Sequence, residues 1–223
     1  MRVASVMKFP KLYMRKLPLL IYFFQTRPIK YIMKRFIEKL LWPIKLIASP
    51  SIRRIVHEDW CVRKEGRAGY YTRIAKTKAA SCGKDLYVGY PSQFLGEIHF
   101  GDNCNFNGMR VLGGGKVTFG NNFHSGEECM IITQNHNYDQ GDAIPYDTTY
   151  LYKTVVIGDN VWFGNRVIVV GNVTIGEGSI IAAGSVISKD VPKYAIMAGN
   201  PAKVVKYRDV EHYEKLKMDG KFH

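Results

Sequence analysis

His136 is the side chain whose sequence context most favours chemistry. It follows residues 132–135, where a regular apolar pattern gives way to a long, polar, tyrosine-rich stretch at residues 133–154. An imidazole with a pKa of about 6.5 can take up a proton near neutral pH, as a general base must. Long loops on rigid scaffolds commonly carry function. A lone histidine at a loop start is more often surface decoration, so this interpretation depends on the elements around it.

The cysteines do not suggest a second reactive centre. Cys61, Cys82, Cys104 and Cys129 are separated by 21, 22 and 25 positions, so no pair has the spacing of a zinc finger or a redox motif. We predict reduced, partly buried thiols. The sequence gives no reason to expect a metal site, or a nucleophile at Cys104 or Cys129.

The second half of the chain is a repeat of six residues. Residues 157–192 divide into the hexads IGDNVW, FGNRVI, VVGNVT, IGEGSI, IAAGSV and ISKDVP. The second positions are small in five of the six hexads. The first positions are all apolar, and the fifth are all β-branched or small: Ile157, Phe163, Val169, Ile175, Ile181 and Ile187, then Val161, Val167, Val173, Ser179, Ser185 and Val191.

A six-residue period fits a triangular prism with one hexad on each side. First- and fifth-position side chains would face the core, and the small second residue would let the backbone turn. Because one coil cannot bury its inner face alone, several coils must stack through short parallel strands. The first rung is expected at residues 86–91. The pattern continues upstream with Phe100, Phe106, Phe119, Ser125 and Ile131 at first positions.

Three segments carry a family resemblance. They are V-W-F-G-N at 161–165, A-A-G-S-V-I-S-K-D-V-P at 182–192 and A-G-N-P-A-K-V-V-K at 198–206. With the hexads, they resemble the hexapeptide-repeat acyltransferases, and most closely the maltose/galactoside and polysaccharide O-acetyltransferases. The resemblance covers about residues 86–208. It implies a left-handed parallel β-helix, acetyl-CoA as co-substrate, no required metal, and a homotrimer with active sites between adjacent prisms.

The resemblance also assigns residues to the reaction. His136 corresponds to the family's catalytic histidine, at the start of the protruding loop. The backbone N–H of Asn165, after the glycine of V-W-x-G, would stabilise the oxyanion. Trp162 would form part of the coenzyme or acceptor wall, with packing on a neighbouring coil as the alternative. The remaining residues implied at the coenzyme site are Gly164, Ala183, Gly184, Ser185, Asn200, Pro201, Ala202, Lys203, Lys206 and Arg208.

The acceptor site is less fully specified. Asn107 resembles an acceptor-contacting asparagine of the sugar acetyltransferases, and Tyr138 and Asp139 lie on the loop beside His136. The carboxylate that orients His136 is left open between Asp139, Glu127 and Glu128. The expected function is O-acetylation of a saccharide hydroxyl. The alternatives are N-acetylation of an amino sugar and a catalytically silent membrane-associated scaffold.

The charge is concentrated at the N-terminus. The 223 residues contain 32 Lys/Arg and 19 Asp/Glu, for a net charge of +13, and residues 1–60 hold 13 of the basic and 3 of the acidic residues. Residues 29–48 place apolar side chains on one helical face with lysines off it. Such a helix suits an anionic membrane surface, with packing on the protein's own body as the alternative. The near-neutral remainder argues against nucleic acid.

The chain therefore divides into four predicted parts. A basic amphipathic helical segment spans residues 1–60, and a connecting or capping segment spans 61–85. The β-helix domain spans 86–205 and carries the loop at 133–154. A C-terminal tail, helical in one interpretation, spans 206–223. No apolar run approaches the ~20 residues needed to cross a bilayer, and no cleavable signal is evident. We expect a cytoplasmic protein, with residues 1–56 as a candidate contact to the inner face of the membrane.

Overall fold

The structure, a computed structural model, describes residues 50–223. The amphipathic helix predicted for residues 29–48, and most of the basic segment 1–60, lie outside the described residues. Residues 60–223 belong to one compact unit, and residues 50–59, the described part of the other unit, are helical. No helix within residues 50–223 is long and apolar enough to cross a membrane.

Short strands dominate the described chain, with helices before and after them. The helices are α1 (Pro50–Glu65), α2 (Arg67–Lys78) and α3 (Val210–Met218). The strands are β1 (Ser81–Cys82), β2 (Tyr87–Tyr90), β3 (Gln93–Phe94), β4 (Glu97–Phe100), β5 (Asn105–Asn107), β6 (Arg110–Leu112), β7 (Lys116–Phe119), β8 (His124–Glu127), β9 (Met130–Ile132), β10 (Gln134–His136), β11 (Tyr150–Tyr152), β12 (Thr154–Ile157), β13 (Trp162–Phe163), β14 (Ile168–Val170), β15 (Val173–Ile175), β16 (Ile180–Ile181), β17 (Val186–Ile187), β18 (Ala195–Gly199) and β19 (Ala202–Tyr207).

Three sheets form the sides of a prism. Sheet A has the order β1-β4-β7-β12-β15, sheet B β19-β18-β16-β13-β8-β5-β2, and sheet C β17-β14-β9-β6-β3. All pairings within them are parallel except that of β18 with β19. The chain visits sheets A, B and C in turn, so we name the edges between them AB, BC and CA. This is the parallel β-solenoid predicted from the hexads, and it has the architecture of the left-handed β-helix.

The predicted core positions are confirmed. All twelve first- and fifth-position side chains of residues 157–192 are buried, and so are the five upstream first-position side chains. The prism starts earlier than the first rung expected at 86–91, because Ser81 and Cys82 already pair with His99 and Phe100. Helix α2 lies over this end of the prism, where Thr72 Oγ1 accepts a hydrogen bond from Val88 N–H (2.9 Å).

The small second residues have a different role from the one predicted. A Cβ on Gly164 would lie 2.7 Å from the amide nitrogen of Ala183, and one on Gly176 would lie 2.5 Å from that of Lys193. The chain instead turns at the fourth position, where Asn160 has a φ of 58°. The second position is small because the backbone of the next coil passes directly against it. The turn itself needs a residue that tolerates left-handed backbone geometry, as asparagine does.

The C-terminal tail docks on edge AB through a ladder of amides. Asn103 donates to Asn122 (3.0 Å), Asn122 donates to Asn160 (2.8 Å), and Asn160 donates to the Tyr213 hydroxyl of α3 (2.7 Å). Asn103 also donates to the backbone oxygen of His223 (2.8 Å). The ladder provides hydrogen-bond partners for the side chains of asparagines whose backbone is left-handed at the corners, and it holds the tail along the prism.

Candidate active site

The polar stretch leaves the prism at edge CA, between β9 of sheet C and β12 of sheet A. It begins as a hairpin in which β10 pairs antiparallel with β11, with His136 opposite Tyr150. Thr133 anchors the base of the hairpin, because it is fully buried and its hydroxyl donates to the carbonyl of Leu112 (3.0 Å). His136 therefore ends an ordered strand directly above the rigid prism.

Two tyrosines hold the imidazole of His136. The ring of Tyr146 stacks on it with a centroid distance of 3.8 Å and an interplanar angle of 16°. The ring of Tyr150 lies 4.7 Å away at 41°. Nδ1 of His136 is buried and has no hydrogen-bond partner among residues 50–223. The orientation of the ring is thus fixed by aromatic contacts on its faces. Because Nδ1 is buried, Nε2 is the ring nitrogen that remains to contact a substrate.

None of the three candidate carboxylates hydrogen-bonds to His136. Glu128 pairs with Arg166 (2.7 Å), and Asp139 accepts from the side chain of Gln140 (3.3 Å). Glu127 contacts Asn165 instead, through its backbone and not its carboxylate: the Glu127 N–H donates to the side-chain oxygen of Asn165 (3.0 Å). Asp139 and its neighbour Tyr138 are exposed on the loop, as an acceptor-contacting role would require.

Asn165 lies on a different edge of the prism from His136. It follows β13 of sheet B and precedes β14 of sheet C, so it sits on edge BC, whereas the His136 hairpin leaves edge CA. The side of the prism between these edges is roughly five residues wide, or about 15 Å. A single protomer therefore does not bring the backbone N–H of Asn165 next to the imidazole of His136.

The backbone N–H of Asn165 has the character of a free donor. The carbonyl of Asn165 accepts from the N–H of Gly184 (2.9 Å). Its own N–H donates to no acceptor within the described residues, and the residue is exposed. A donor that is fixed by the prism and has no acceptor within residues 50–223 can bind developing negative charge without reorganisation.

The small-residue corner predicted for the coenzyme lies on the same edge. Gly164 packs against the backbone of Ala183, and nothing lies within 4 Å of where a Cβ on Gly184 would project. Trp162 points outward from sheet B, with 52% of its surface exposed, so coil packing does not occupy its whole face. An open, low corner beside a half-exposed indole fits an extended thiol-bearing arm such as pantetheine.

The remaining predicted coenzyme residues separate into two groups. Asn200 and Pro201 form the turn between β18 and β19, and Ala202 is the first residue of β19. Lys203 and Lys206 are exposed on the same strand. Ser185 and Arg208, in contrast, contact other parts of the protein. Ser185 is fully buried and its hydroxyl accepts from the N–H of Gly199 (3.2 Å). The guanidinium of Arg208 lies 5.6 Å from the centre of the Tyr213 ring, and burial lowers the pKa of this side chain.

Asn107 belongs to a polar surface on sheet B. Its side-chain N–H donates to the carbonyl of Ser125 (2.9 Å), which fixes the amide and leaves its oxygen as an acceptor. Beside it, Tyr87, Asn105, His124 and Trp162 lie in register on adjacent strands and form one outward row. The ring of His223 stacks on His124 at 5.5 Å, so the tail reaches the side of this row.

The buried thiols are poor nucleophiles. Burial raises the pKa of Cys104 to about 12, and its Sγ donates to the carbonyl of Gly120 (3.2 Å). Burial also raises the pKa of Cys129. Because the thiolate is the reactive form, neither residue is suited to attack a thioester.

Sequence reasoning missed the two tyrosines that hold His136. The tyrosine-rich composition of the loop was visible, but the particular partners were not. Tyr150 could have been found by pairing the ends of the insertion as a hairpin, which places it opposite His136. Tyr146 lies in irregular backbone, and no periodic signal marks it.

Comparison with known sequences supports the repeat. The family described as bacterial transferase hexapeptide (six repeats) matches residues 154–189. A Saccharomyces cerevisiae protein named "Putative acetyltransferase" is 33% identical over 138 residues, which are 60% of this chain and 69% of that protein. A Schizosaccharomyces pombe protein of the same name is 36% identical over 118 residues, and the chain spans about half of it (52%).

Solved structures of the same architecture include two sugar acetyltransferases. A maltose O-acetyltransferase from Clostridium difficile 630 is 32% identical, with a TM-score of 0.53, over 61% of this chain and 74% of that one. A galactoside acetyltransferase in complex with coenzyme A is 27% identical, also with a TM-score of 0.53, over 63% and 71% of the two chains.

Proposed function

Because this chain belongs to the hexapeptide-repeat acetyltransferases, we propose that it transfers acetyl from acetyl-CoA to a sugar hydroxyl. The acceptor class is a surface polysaccharide, a lipid-linked glycan or another saccharide. The observation that carries the proposal is the geometry of His136, which ends an ordered strand at the base of the protruding loop and is clamped by Tyr146 and Tyr150. The two sugar acetyltransferases of like fold support a saccharide acceptor.

The proposed chemistry is direct transfer. The acceptor hydroxyl donates a hydrogen bond to Nε2 of His136 and loses its proton to that nitrogen as its oxygen attacks the acetyl carbonyl. The tetrahedral intermediate collapses, the C–S bond breaks, and the proton held on His136 can pass to the departing thiolate of coenzyme A. The ester is the other product, and no covalent enzyme intermediate forms. The buried, weakly acidic Cys104 and Cys129 agree with a route that uses no thiol of the protein.

Two protomers are needed to complete this centre. His136 on edge CA and the free N–H of Asn165 on edge BC are separated within one chain. In a homotrimer of prisms, edge CA of one protomer can face edge BC of the next. The backbone N–H of Asn165 of the partner subunit would then stabilise the oxyanion formed beside His136. Removal of one such donor typically lowers a rate by about 10²–10³-fold.

Acetyl-CoA is proposed to lie along edge BC. The pantetheine arm would cross the low corner at Gly164, Ala183 and Gly184, with Trp162 as a wall. Asn200, Pro201 and Ala202 would contact the adenine end, and Lys203 and Lys206 would contact the phosphates of the coenzyme. Ser185 is buried and accepts from Gly199 N–H, so it would support this surface indirectly, whereas Arg208, whose Nε has no hydrogen-bond partner within residues 50–223, is proposed at the phosphates with the two lysines. On the acceptor side we propose Asn107, Tyr138 and Asp139.

We further propose that the enzyme works in the cytoplasm, with residues 1–56 binding the inner face of the membrane. The proposal rests on the concentration of basic and apolar residues before position 60. Deleting residues 1–56 should release the protein from vesicles of anionic phospholipid while circular dichroism of the β-helix is retained. Equal vesicle binding by the truncated protein would contradict it.

The decisive experiment measures release of coenzyme A with and without a panel of mono-, oligo- and lipid-linked sugars. His136→Ala should lower the acceptor-dependent rate by about 10²–10⁴-fold, because it removes the general base. His212→Ala is the matched control, since this exposed histidine lies on α3 and should leave the rate unchanged. Full activity in His136→Ala would disprove the assigned role. Exclusive response to amino sugars would replace O-transfer with N-transfer.

A further inference from the structure

A groove between α2 and Tyr87 of sheet B has no role in the proposed reaction. It is an open groove of about 610 Å³, and it is lined by Tyr87 of β2 and by six residues of α2: Ala68, Gly69, Thr72, Arg73, Lys76 and Thr77. We name it the α2 groove. Most of its wall is apolar, and the groups that could bind the polar atoms of a ligand are two cations and two hydroxyls.

The α2 groove has a positive charge available to a ligand. Lys76 forms no ion pair or hydrogen bond with any residue in 50–223. Arg73 pairs with Glu65 through Nε (2.9 Å) and Nη2 (3.2 Å), which leaves the hydrogens of Nη1. Glu65 is the acidic group that faces these cations, and helix α2 itself contains none. The groove therefore favours an anionic group on its occupant.

The hydroxyls and the aromatic ring add further constraints. Thr77 donates to the carbonyl of Ile74 (2.7 Å), so its oxygen still can accept. Thr72 accepts from Val88 N–H, so its hydroxyl hydrogen can still donate. Tyr87 is 46% exposed and presents its ring to the groove. Ring faces of this kind pack against the apolar C–H face of a sugar, while the hydroxyls bond to its polar edge.

The groove is continuous with the proposed acceptor surface. Tyr87 lines the groove and is also the first member of the outward row on sheet B, where Asn105 and then His124 follow in register. Asn107 occupies the same strand as Asn105 and pairs with Tyr90. Asn107 is one strand across from β2 (about 4.8 Å) and two residues along β5 from Asn105, the partner of Tyr87 (about 6.6 Å), so it lies about 8 Å from Tyr87. An acceptor that extends from Asn107 past Tyr87 to Arg73 and Lys76 must therefore be longer than one sugar.

We infer that the α2 groove binds the distal part of an elongated saccharide acceptor through an anionic substituent, a carboxylate or a phosphate. This inference rests on the proposed function and defines its substrate class. Arg73 and Lys76 hold the anion, and Tyr87 carries the sugar ring between the anion and Asn107. Neutral acceptors of equal length lose the charge contact and bind more weakly.

The test uses matched saccharides in the absence of acetyl-CoA. Oligomers of glucose and galactose are compared with their uronate counterparts of equal length, and a third arm uses the corresponding oligosaccharide 1-phosphates. Full-length protein should bind an anionic member at least about fivefold more tightly than its neutral counterpart, and salt should reduce the ratio. The arm with the larger ratio tells carboxylate from phosphate. Equal binding within all pairs, or binding of none of them, would overturn the inference.

Variants assign the effect to the groove. In Arg73→Gln/Lys76→Gln the ratio of neutral to anionic Kd should fall to about one, whereas Lys78→Gln, on the same helix but outside the groove, should keep it. Tyr87→Ala should weaken both members alike. A ratio that survives the double substitution would refute the assignment. If the double substitution raised KM for acetyl-CoA and left the ratio of Kd values unchanged, the groove would bind the coenzyme and not the acceptor.

Transfer assays keep this inference separate from the proposed function. If the anionic saccharides bind selectively but receive no acetyl group, the proposed function is wrong and the inference that the α2 groove binds an anionic saccharide is retained. If acetyl transfer depends on His136 but anionic and neutral acceptors have equal KM values in every variant, the proposed function stands and the groove does not bind the acceptor.

Discussion

The two halves of the prism fill the same cross-section with different side chains. The coils before the loop contain a stack of phenylalanines. The ring of Phe106 contacts four others at centroid distances of 5.0–5.3 Å: Phe94, Phe100, Phe119 and Phe123. The coils after the loop use valine and isoleucine, and Phe163 is the one ring at a first position of residues 157–192. Its single ring contact among the described residues is Phe123 (5.1 Å).

This difference shows what the repeat requires. The fold needs inward-facing first and fifth positions and, wherever the next coil passes close, a small second position, but it does not prescribe the volume at the inward positions. Large rings in the early coils coincide with irregular spacing, for example the register shift between Asn105 and Asn107. Aliphatic residues in the late coils coincide with strict spacing. Side-chain volume in the core can be redistributed among neighbouring coils. The spacing between the backbones of successive coils cannot change, so the second position must stay small where they approach closely.

The largest expected effect is a matched pair of ring truncations. Phe106→Leu should lower the free energy of unfolding by about 1 kcal/mol or more beyond Phe163→Leu, because each aromatic pair contributes about 0.5–1.5 kcal/mol beyond burial. Both side chains are fully buried, and both substitutions remove the same atoms. Equilibrium urea denaturation of the two variants measures the difference. Equal destabilisation would show that ring contacts do not distinguish the two halves.

A smaller effect is expected from the tail that braces the late coils. Glu177 accepts from Tyr213 (3.2 Å) and Lys193 (3.3 Å), and it pairs with Lys217 of α3. Burial alone would raise the pKa of Glu177, but the lysine hydrogen bonds outweigh it, and the net pKa is lowered. A lowered folded-state pKa stabilises the protein above the unfolded value of about 4.3. That contribution is lost as the pH falls below this value.

Comparing wild type with Glu177→Gln by thermal unfolding checks this sign. The difference in Tm should be present at pH 7 and should shrink toward zero as the pH falls through and below about 4.3. A Tm difference that stays constant with pH would exclude Glu177 as the origin of the bracing.

Much of the candidate site could be predicted from the sequence. The hexads located every core position of residues 157–192, and the end of the repeat located His136, because both depend on local period. The tyrosine contacts to His136 were not predictable in this way. They depend on how a hairpin and an irregular loop fold back on each other, and residues of the loop carry no periodic pattern.

The sequence by itself determined the prism, its inward-facing residues and the place where the loop that carries His136 leaves it. Few backbone architectures other than a prism of stacked coils fit a six-residue period, so the fold can be predicted without knowledge of contacts between distant residues. Only the tertiary structure decided that Gly164 is small because of the neighbouring coil. It also put His136 and Asn165 on separate edges, and made Arg73, Lys76 and Tyr87 share one groove. Those facts depend on which residues face one another across stacked coils, and spacing along a single chain does not fix that.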